Sequence, residues 1–338
     1  MSRVNRRRVS MHRIPQWGFW LVVAVMSGLL LAACVAPATP AAPTAPQAAQ
    51  APGAEPTKAP EPEPTKAPEA EPTKAAEPEP TAVPEPEVSA GDPVAGEYIL
   101  SAAIGCGCHF NQDLSGLAGG NKFEGPFGLV FSRNLTPDAT GIAGLSDQEI
   151  VDAFRLGKRP GGGNLAPPMP RFATMADADA LNLVAFLRSR PALANEITER
   201  QLTSEPADFT PNQPPPAVAP TEGADRGRYL ASLARCGMCH TPRTESGGFD
   251  NERFLAGAPF RDTVAPNLTP DEATGLTWTE QEIADFLGTG IYADGLEAHA
   301  GMKGTVDRGL GKLTEADRLA IAAFLKSLTP VQNEPTPQ

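Results

Sequence analysis

The chain has 338 residues, 37 prolines and a net charge of −12, and it is long enough for two ordinary domains and a stretch of unstructured chain. The acidic balance argues against binding of nucleic acid and of anionic lipid surfaces, because both need basic patches. It leaves open a basic protein partner, or a charge that serves only solubility.

The N-terminal segment has the layout of a secretory signal. Residues 1–33 are first basic and then apolar, with the apolar run extending from Trp17 to Ala33. Leu31-Ala32-Ala33-Cys34 resembles the bacterial lipobox, which implies that Cys34 is acylated and becomes the first mature residue. The alternative is an uncleaved signal anchor in which Cys34 has no role. Both alternatives predict an extracytoplasmic protein attached to the cell membrane; a lipid anchor would tether it without spanning the bilayer.

A proline-rich tether is predicted over residues 34–93. Glu-Pro-Thr recurs there every eight residues, from Glu55 to Glu79. Proline removes backbone donors, and few apolar side chains are available to offset the entropy of ordering. We therefore expect a disordered, polyproline-like tether that extends by ~3 Å per residue.

The remaining chain repeats one plan. We predict two helical domains, at residues 94–192 and 223–330, a polar linker at 193–222 and a disordered tail at 331–338. Self-similarity at this spacing indicates the duplication of one small domain.

Helix-start patterns recur in both copies. Ser146-Asp147-Gln148-Glu149 and Thr279-Glu280-Gln281-Glu282 are capping boxes. Thr174 and Thr314 are expected to cap a last helix in each copy. The first of these last helices is predicted to bury Leu181, Val184 and Leu187.

The second copy contains Cys236-Gly237-Met238-Cys239-His240, which we call the second Cys–His stretch. Its Cys-x-x-Cys-His spacing is the signal for covalent attachment of c-type haem. Residues at i, i+3 and i+4 share one face of a helix, so Cys236 and Cys239 can bond the two haem vinyl groups while His240 reaches the iron. A disulfide or a chance cysteine pair is the alternative.

The first copy departs from this motif. The first Cys–His stretch is Gly105-Cys106-Gly107-Cys108-His109, and it lies 131 residues before the second. On a helix the Cys106 and Cys108 thiols would be about 200° apart. Haem could be attached through Cys108 alone, or through Cys106 as well if the turn is distorted, or the cysteines could be free for redox chemistry. We favour haem bound through Cys108 and His109, with Cys106 left open.

A second iron ligand is expected from methionine, whose thioether suits low-spin haem iron. Met169 and Met302 recur at matching positions in loops rich in proline or glycine, whereas Met175 and Met238 do not recur and fit core-filling roles better. We therefore pair His109 with Met169 and His240 with Met302. His299 is the competing ligand for the second site.

These two sets of motifs resemble class I cytochrome c domains, in particular the cytochrome c subunits of periplasmic alcohol, sugar-acid and aldehyde dehydrogenases. The resemblance covers residues 94–192 and 223–330 and implies an all-α fold of two tandem domains, with redox proteins as partners. It also implies that the terminal helices of each domain cross beside the haem, with contacts between Gly96 and Phe186 and between Gly227 and Phe324.

The sequence favours an electron carrier over an enzyme. Two haem c groups with closed iron sites, the first attached through one thioether or two, would relay single electrons from an extracytoplasmic donor to a respiratory acceptor. The alternative is a haem enzyme, such as a dihaem peroxidase or a thiosulfate-oxidising dehydrogenase, which would need an open iron position. A structural or sensing module is a third hypothesis.

Overall fold

The structure, a computed structural model, describes residues 91–111, 113 and 115–337, which belong to one compact unit. The predicted signal segment, Cys34 and residues 34–90 of the predicted tether lie outside the described residues. Within the described ranges, no helix is both long enough and apolar enough to cross a membrane.

Within the described residues, eight α-helices form two similar sets. We use "N-terminal repeat" for residues 91–195 and "C-terminal repeat" for residues 223–333. The N-terminal repeat contains α1 (Pro93–Ala102), α2 (Asp147–Leu156) and α3 (Asp177–Arg188), and the C-terminal repeat contains α4 (Gly223–Leu233), α5 (Gly237–His240), α6 (Glu280–Thr289), α7 (Ala300–Arg308) and α8 (Glu315–Lys326).

The two predicted capping boxes are confirmed. The Ser146 hydroxyl accepts from the Glu149 N–H, and the Glu149 carboxylate accepts from the Ser146 N–H at 2.8 Å. Thr279 and Glu282 make the same exchange at the start of α6. Both helices end at a glycine, Gly157 or Gly290, with φ of 71° and 68°. These local signals therefore fix equivalent helices in both repeats.

The predicted N-cap threonine of the last helix is confirmed in the C-terminal repeat and is wrong in the N-terminal repeat. Thr314 caps α8 by accepting from the Asp317 N–H. In the N-terminal repeat, however, Ala176 occupies the N-cap position and α3 begins at Asp177. The Thr174 hydroxyl instead lies 3.0 Å from the Ser232 hydroxyl of α4. Of the three residues predicted to be buried in this helix, Val184 and Leu187 are buried, whereas Leu181 is exposed.

The predicted helix crossing is present in both repeats. At Gly96 of α1, an added Cβ would lie 1.9 Å from the Asn182 carbonyl oxygen and 2.7 Å from the Phe186 Cβ. At Gly227 of α4, it would lie 1.8 Å from the Ala320 carbonyl oxygen of α8, so the nearest neighbour there is not Phe324. Glycine is required at both positions because the two backbones are in direct contact.

The expectation of an all-α fold needs correction, because short strands accompany the helices. β1 (Lys122–Gly125), β2 (Gly128–Phe131) and β3 (Gln201–Leu202) form an antiparallel sheet in that order, and β4 (Ala258–Phe260) pairs with β5 (Thr263–Ala265). Gly128 has φ of 100°, and its α-carbon packs against the backbone of Gln201. The glycine-rich segment that separates the first Cys–His stretch from α2 therefore folds into a hairpin, and the fold is mostly helical.

Parts of the predicted linker and tail are bound to the two repeats. Asn195 donates to the Ala118 carbonyl at 2.9 Å, and Asn333 donates to the Ala256 carbonyl at 2.7 Å. The segment that contains β3 also belongs to the predicted linker. The backbone N–H groups of Val331 and Asn333 also donate to the Thr269 and Thr274 hydroxyls, as those of Leu193 and Asn195 donate to threonine hydroxyls in the first copy.

The two repeats exchange tyrosine side chains. Tyr98 of α1 donates to the Asp317 carboxylate at 2.6 Å and accepts from the Thr314 N–H at 3.0 Å. Tyr229 of α4 donates to the Asp179 carboxylate at 2.6 Å and accepts from the Ala176 N–H at 3.1 Å. Each repeat therefore supplies a hydroxyl to the first turn of the other repeat's last helix, where the first N–H groups lack intrahelical partners.

Asp317 provides a test of this interface. Its carboxylate also accepts two hydrogen bonds from Arg226, at 2.9 and 2.7 Å, and both side chains are largely buried. We expect Asp317→Asn to lower the free energy of unfolding at pH 7 by about 3 kcal/mol, because the Arg226 guanidinium would stay buried without its partner charge. The matched control is Asp307→Asn, which removes an exposed ion pair with Lys303 and should cost at most about 1 kcal/mol.

The same variant should change the acid dependence of stability. Burial alone would raise the pKa of Asp317, but hydrogen bonds from Arg226 and Tyr98 outweigh it and hold that pKa below its usual value. The stabilisation is therefore complete above the unfolded-state pKa of about 4 and is lost as the pH falls through the folded-state pKa. Urea unfolding followed by circular dichroism should show the wild-type and variant stabilities converging in acid. A constant difference at every pH would contradict this assignment.

Candidate functional site

His240 is the best-defined part of the second Cys–His stretch. It ends the single helical turn α5, which Cys236 enters with helical φ and ψ of −50° and −39°. The ring is buried, and its Nδ1 lies 2.8 Å from the Pro266 carbonyl oxygen. Because a carbonyl only accepts, Nδ1 carries the proton and Nε2 keeps its lone pair. Burial also lowers the pKa of His240, so the ring is a neutral metal-ligand donor.

His109 has the same environment in the first Cys–His stretch. It is buried, and its Nδ1 lies 2.8 Å from the Arg133 carbonyl oxygen. Burial lowers the pKa of His109 as well. The two histidines therefore present the same tautomer, with Nε2 available to a metal.

The carbonyls that orient the histidines precede a repeated Asn-Leu-Thr-Pro-Asp turn. In the first copy, the Asn134 amide oxygen accepts from the Thr136 N–H and hydroxyl, and its amide nitrogen donates to the Leu193 carbonyl at 2.7 Å. Asn267 makes the matching contacts with Thr269 and with the Val331 carbonyl. All these asparagine and threonine side chains are buried, so the turn holds each orienting carbonyl in place.

No disulfide joins any of the four cysteines of the two stretches. Burial raises the pKa of Cys236 to about 12. Burial also raises the pKa of Cys239, although the nearby Arg235, Arg261 and Arg243 act in the opposite direction. Within one helical turn these thiols precede His240 at the spacing predicted from the sequence, as covalent haem attachment requires.

The first Cys–His stretch is not the regular helix that the 200° estimate assumed. Its 3₁₀ turn, Ile104–His109, contains Gly105 with φ of 70° and Cys106 with φ of 48°, both left-handed. Ile104, just before them, is also left-handed, with φ of 61°. Cys106 packs partly buried against the apolar core, whereas Cys108 is exposed. Burial raises the pKa of Cys106 to about 12, as it does for Cys236.

The two recurring methionines lie in different local structures. Met169 is in the loop between α2 and α3, where its carbonyl accepts from the Arg171 guanidinium at 2.7 Å. Met302 lies in the first turn of α7, which differs from the predicted loop. Both side chains pack partly buried against the apolar core. Arg171, which sequence reasoning missed, fixes the Met169 loop by donating to the Leu165 carbonyl as well.

The two other methionines of the repeats, Met175 and Met238, differ in burial. Met175 is fully buried, in agreement with the predicted core-filling role. Met238 is 40% exposed, so the prediction that it also fills the core is wrong. It occupies a variable position of the second Cys–His stretch, directly before Cys239.

His299 lies on the surface at the start of α7. Its Nδ1 accepts from the Gly301 N–H at 3.3 Å, which makes it the N-cap residue of the helix. Its Nε2 faces Asp262, 3.8 Å from the carboxylate oxygen, and 44% of its side chain is exposed. Each ring nitrogen of His299 therefore faces a surface group, either the Gly301 N–H or the Asp262 carboxylate. Met302, by contrast, packs against the apolar core.

The chain is mostly helical and has two Cys–His stretches. Each stretch contains a buried, neutral histidine that keeps a lone pair on Nε2. This is the donor set of a c-type haem protein. Residues 224–329 match the family model described as cytochrome c. The chain is similar to a dihaem cytochrome c-type protein of Cereibacter sphaeroides, with 32% identity over 270 residues that cover 72% of this chain and 88% of that protein. The chain belongs to the cytochrome c family.

Dehydrogenase subunits are also similar. The fructose dehydrogenase cytochrome subunit of Gluconobacter japonicus is 30% identical over 261 residues, covering 69% of this chain and 52% of that subunit. The gluconate 2-dehydrogenase cytochrome c subunit of Pantoea cypripedii is 32% identical over 259 residues, covering 69% of this chain and 58% of the subunit. The chain therefore spans little more than half the length of these two relatives.

Proposed function

We propose that the chain is a dihaem electron carrier, built from two tandem class I cytochrome c domains. The observation that carries this proposal is the pair of buried histidines, His109 and His240, held in the same tautomer by matching backbone carbonyls. Two equivalent sites in one compact unit are suited to passing single electrons from one to the other. Haem c, when bound, supplies the one-electron iron couple.

Each site would be built from residues of one repeat. In the C-terminal repeat, Cys236 and Cys239 would hold the haem, with His240 and Met302 as iron ligands. The surface position of His299 supports Met302 as the second ligand. In the N-terminal repeat, Cys108 would attach the haem, with His109 and Met169 as the corresponding ligands.

The side chains around each site would favour electron transfer over substrate chemistry. The buried asparagine turns fix the histidine orientation, and an apolar core surrounds the partly buried methionines. A thioether ligand and burial both tune the reduction potential. Two protein ligands per iron leave no open position for the peroxidase or thiosulfate-oxidising chemistry considered above, and the names of the relatives do not favour that alternative.

The partners are proposed from the relatives. Cytochrome subunits of fructose and gluconate dehydrogenases suggest that a dehydrogenase donates electrons to this chain, which would then reduce a respiratory acceptor. The signal-like N terminus and Cys34 support an extracytoplasmic location with a lipid anchor on the cell membrane. The proline-rich segment would serve as the tether between the anchor and the repeats.

Carbon monoxide binding tests the closed-site assignment. The full chain, matured in a host that attaches haem c, is expected to carry two haems, and its reduced form should bind carbon monoxide slowly at neutral pH because Met169 and Met302 would each already hold an iron. Intact mass and rapid-mixing absorbance measure the two quantities. Rapid binding at either haem would overturn the closed electron-carrier assignment for that site, and a mass with one haem would overturn the dihaem assignment.

A further inference from the structure

The first Cys–His stretch has no cysteine at the position that Cys236 occupies in the second. Gly105 stands there, and an added Cβ would lie 3.0 Å from the carbonyl oxygen of Arg308, in the C-terminal repeat. Gly309, the residue after Arg308, packs more closely still, because an added Cβ there would lie 2.4 Å from the Ser101 carbonyl oxygen and 2.9 Å from the Ile104 Cα. A side chain at position 105 would therefore meet the neighbouring repeat.

The backbone changes direction at this point. In the second Cys–His stretch only the residue before the motif, Arg235, is left-handed, with φ of 57°, and Cys236 already has helical angles. In the first stretch the left-handed conformation continues through Ile104, Gly105 and Cys106. Left-handed conformation costs a non-glycine residue about 1 kcal/mol, and a branched residue such as isoleucine adopts it rarely. This conformation turns the Cys106 side chain away from the direction that it would have on a helix.

The Cys106 side chain lies in the kind of environment that the Cys236 side chain occupies. Both are partly buried and pack against the apolar core. Both precede a buried histidine whose Nδ1 is hydrogen-bonded at 2.8 Å to a backbone carbonyl. Cys108, by contrast, is exposed and follows Cys106 after a single glycine. The first stretch therefore offers one core-facing thiol, one exposed thiol and one buried histidine, in the same order as the core-facing Cys236, the partly buried Cys239 and His240 of the second stretch.

We infer that Cys106 takes the place of the missing first motif cysteine and forms a second thioether, so that both haems are attached through two bonds. The thiol S–H would add across a vinyl C=C bond: sulfur bonds to the carbon next to the ring, and the hydrogen goes to the terminal carbon. The addition has no leaving group and needs no external oxidant or reductant. The inference rests on the proposed function, because it requires haem at the first site.

Alkylation of the intact chain tests the inference. The haem-loaded full chain is denatured, treated with iodoacetamide with and without prior reduction, digested and analysed by mass spectrometry. Because thioether formation adds the whole haem with no loss of atoms, haem mass alone cannot distinguish one bond from two, and alkylation supplies the distinction. The peptide with Cys236 and Cys239 serves as the internal reference for a fully attached site.

The expected result is a peptide containing Cys106 and Cys108 that carries haem and no alkyl group in either treatment. Haem with Cys106 alkylated in both treatments would overturn the inference and leave the proposed function intact. Haem with Cys106 alkylated only after reduction would overturn it in the same way, because Cys106 would then be in a disulfide. A first-stretch peptide without haem would overturn both the inference and the dihaem assignment.

Cys106→Ala supplies a second readout that does not depend on alkylation. The variant is expected to retain haem through Cys108 but to keep one vinyl group, which moves the reduced pyridine haemochrome band to longer wavelength for half of the haems. Met238→Ala, at an exposed variable position of the second stretch, is the matched control and should leave the band in place. A Cys106→Ala band identical to that of the wild-type chain would contradict the second thioether.

Discussion

Replacing Met302 by alanine should lower the reduction potential of the second haem by an amount on the order of tenths of a volt, because axial ligands set haem potentials over a wide range. The alanine side chain cannot reach the iron, so water or a weaker ligand would take its place. The reduced variant should then bind carbon monoxide rapidly at one haem per chain. Potentiometric titration followed by absorbance would resolve the two haems, and the first should keep its potential.

Two controls make this result specific. His299→Ala removes the competing ligand and the α7 cap, and it should leave both potentials in place while costing about 1 kcal/mol of stability. Met169→Ala should reproduce the Met302→Ala effect at the first haem alone. If His299→Ala lowered the second potential and Met302→Ala did not, the ligand assignment would have to be reversed.

The largest expected loss of stability comes from Gly227→Ala. The added Cβ would lie 1.8 Å from the Ala320 carbonyl oxygen, so α4 and α8 would have to separate along their crossing. In an unconstrained helix the same change would stabilise by about 1 kcal/mol. Here we expect a loss of at least about 3 kcal/mol, because both atoms at the clash are fixed to backbones. Urea unfolding of the haem-loaded chain, followed by far-ultraviolet circular dichroism, measures the difference.

Gly144→Ala is the matched control for this substitution. Gly144 is exposed, and an added Cβ would meet no atom within 4 Å. Its effect should stay within about 0.5 kcal/mol, as for other surface positions. Equal losses in the two variants would mean that glycine content, and not the helix crossing, determines the stability.

The features that could be predicted from the sequence are those that recur at matching positions in the two repeats. The capping boxes at Ser146 and Thr279 locate α2 and α6 because a cap depends only on residues close in sequence. The recurrence of Met169 and Met302 is likewise the basis for predicting them as iron ligands, and that assignment stays a prediction. This comparison fails where the spacing between the repeats changes. The last helices, α3 and α8, are offset by 138 residues, so Thr314 corresponds to Ala176 and not to Thr174.

Tertiary contacts account for what could not be predicted. The left-handed run ending at Cys106 lies against Arg308 of the other repeat, about 200 residues away in the sequence. A helical estimate of the thiol directions, which uses only local spacing, could not include this contact. The contact of Tyr98 with Asp317 joins residues 219 positions apart, and no local pattern around Tyr98 predicts it. The available signal was that Tyr98 and Tyr229 recur together with Asp179 and Asp317, and recurring polar pairs of this kind indicate a shared contact.

The tyrosine exchange has a consequence for how the chain unfolds. Because each repeat completes the first turn of the other's last helix, the contact has the reciprocal pattern of an isologous dimer interface, here within one chain. A repeat that opened alone would leave two partly buried carboxylates and two helix starts without their hydroxyl partners. Both repeats should therefore melt in one cooperative transition, and a destabilising change beside one Cys–His stretch would lower the stability of the other equally.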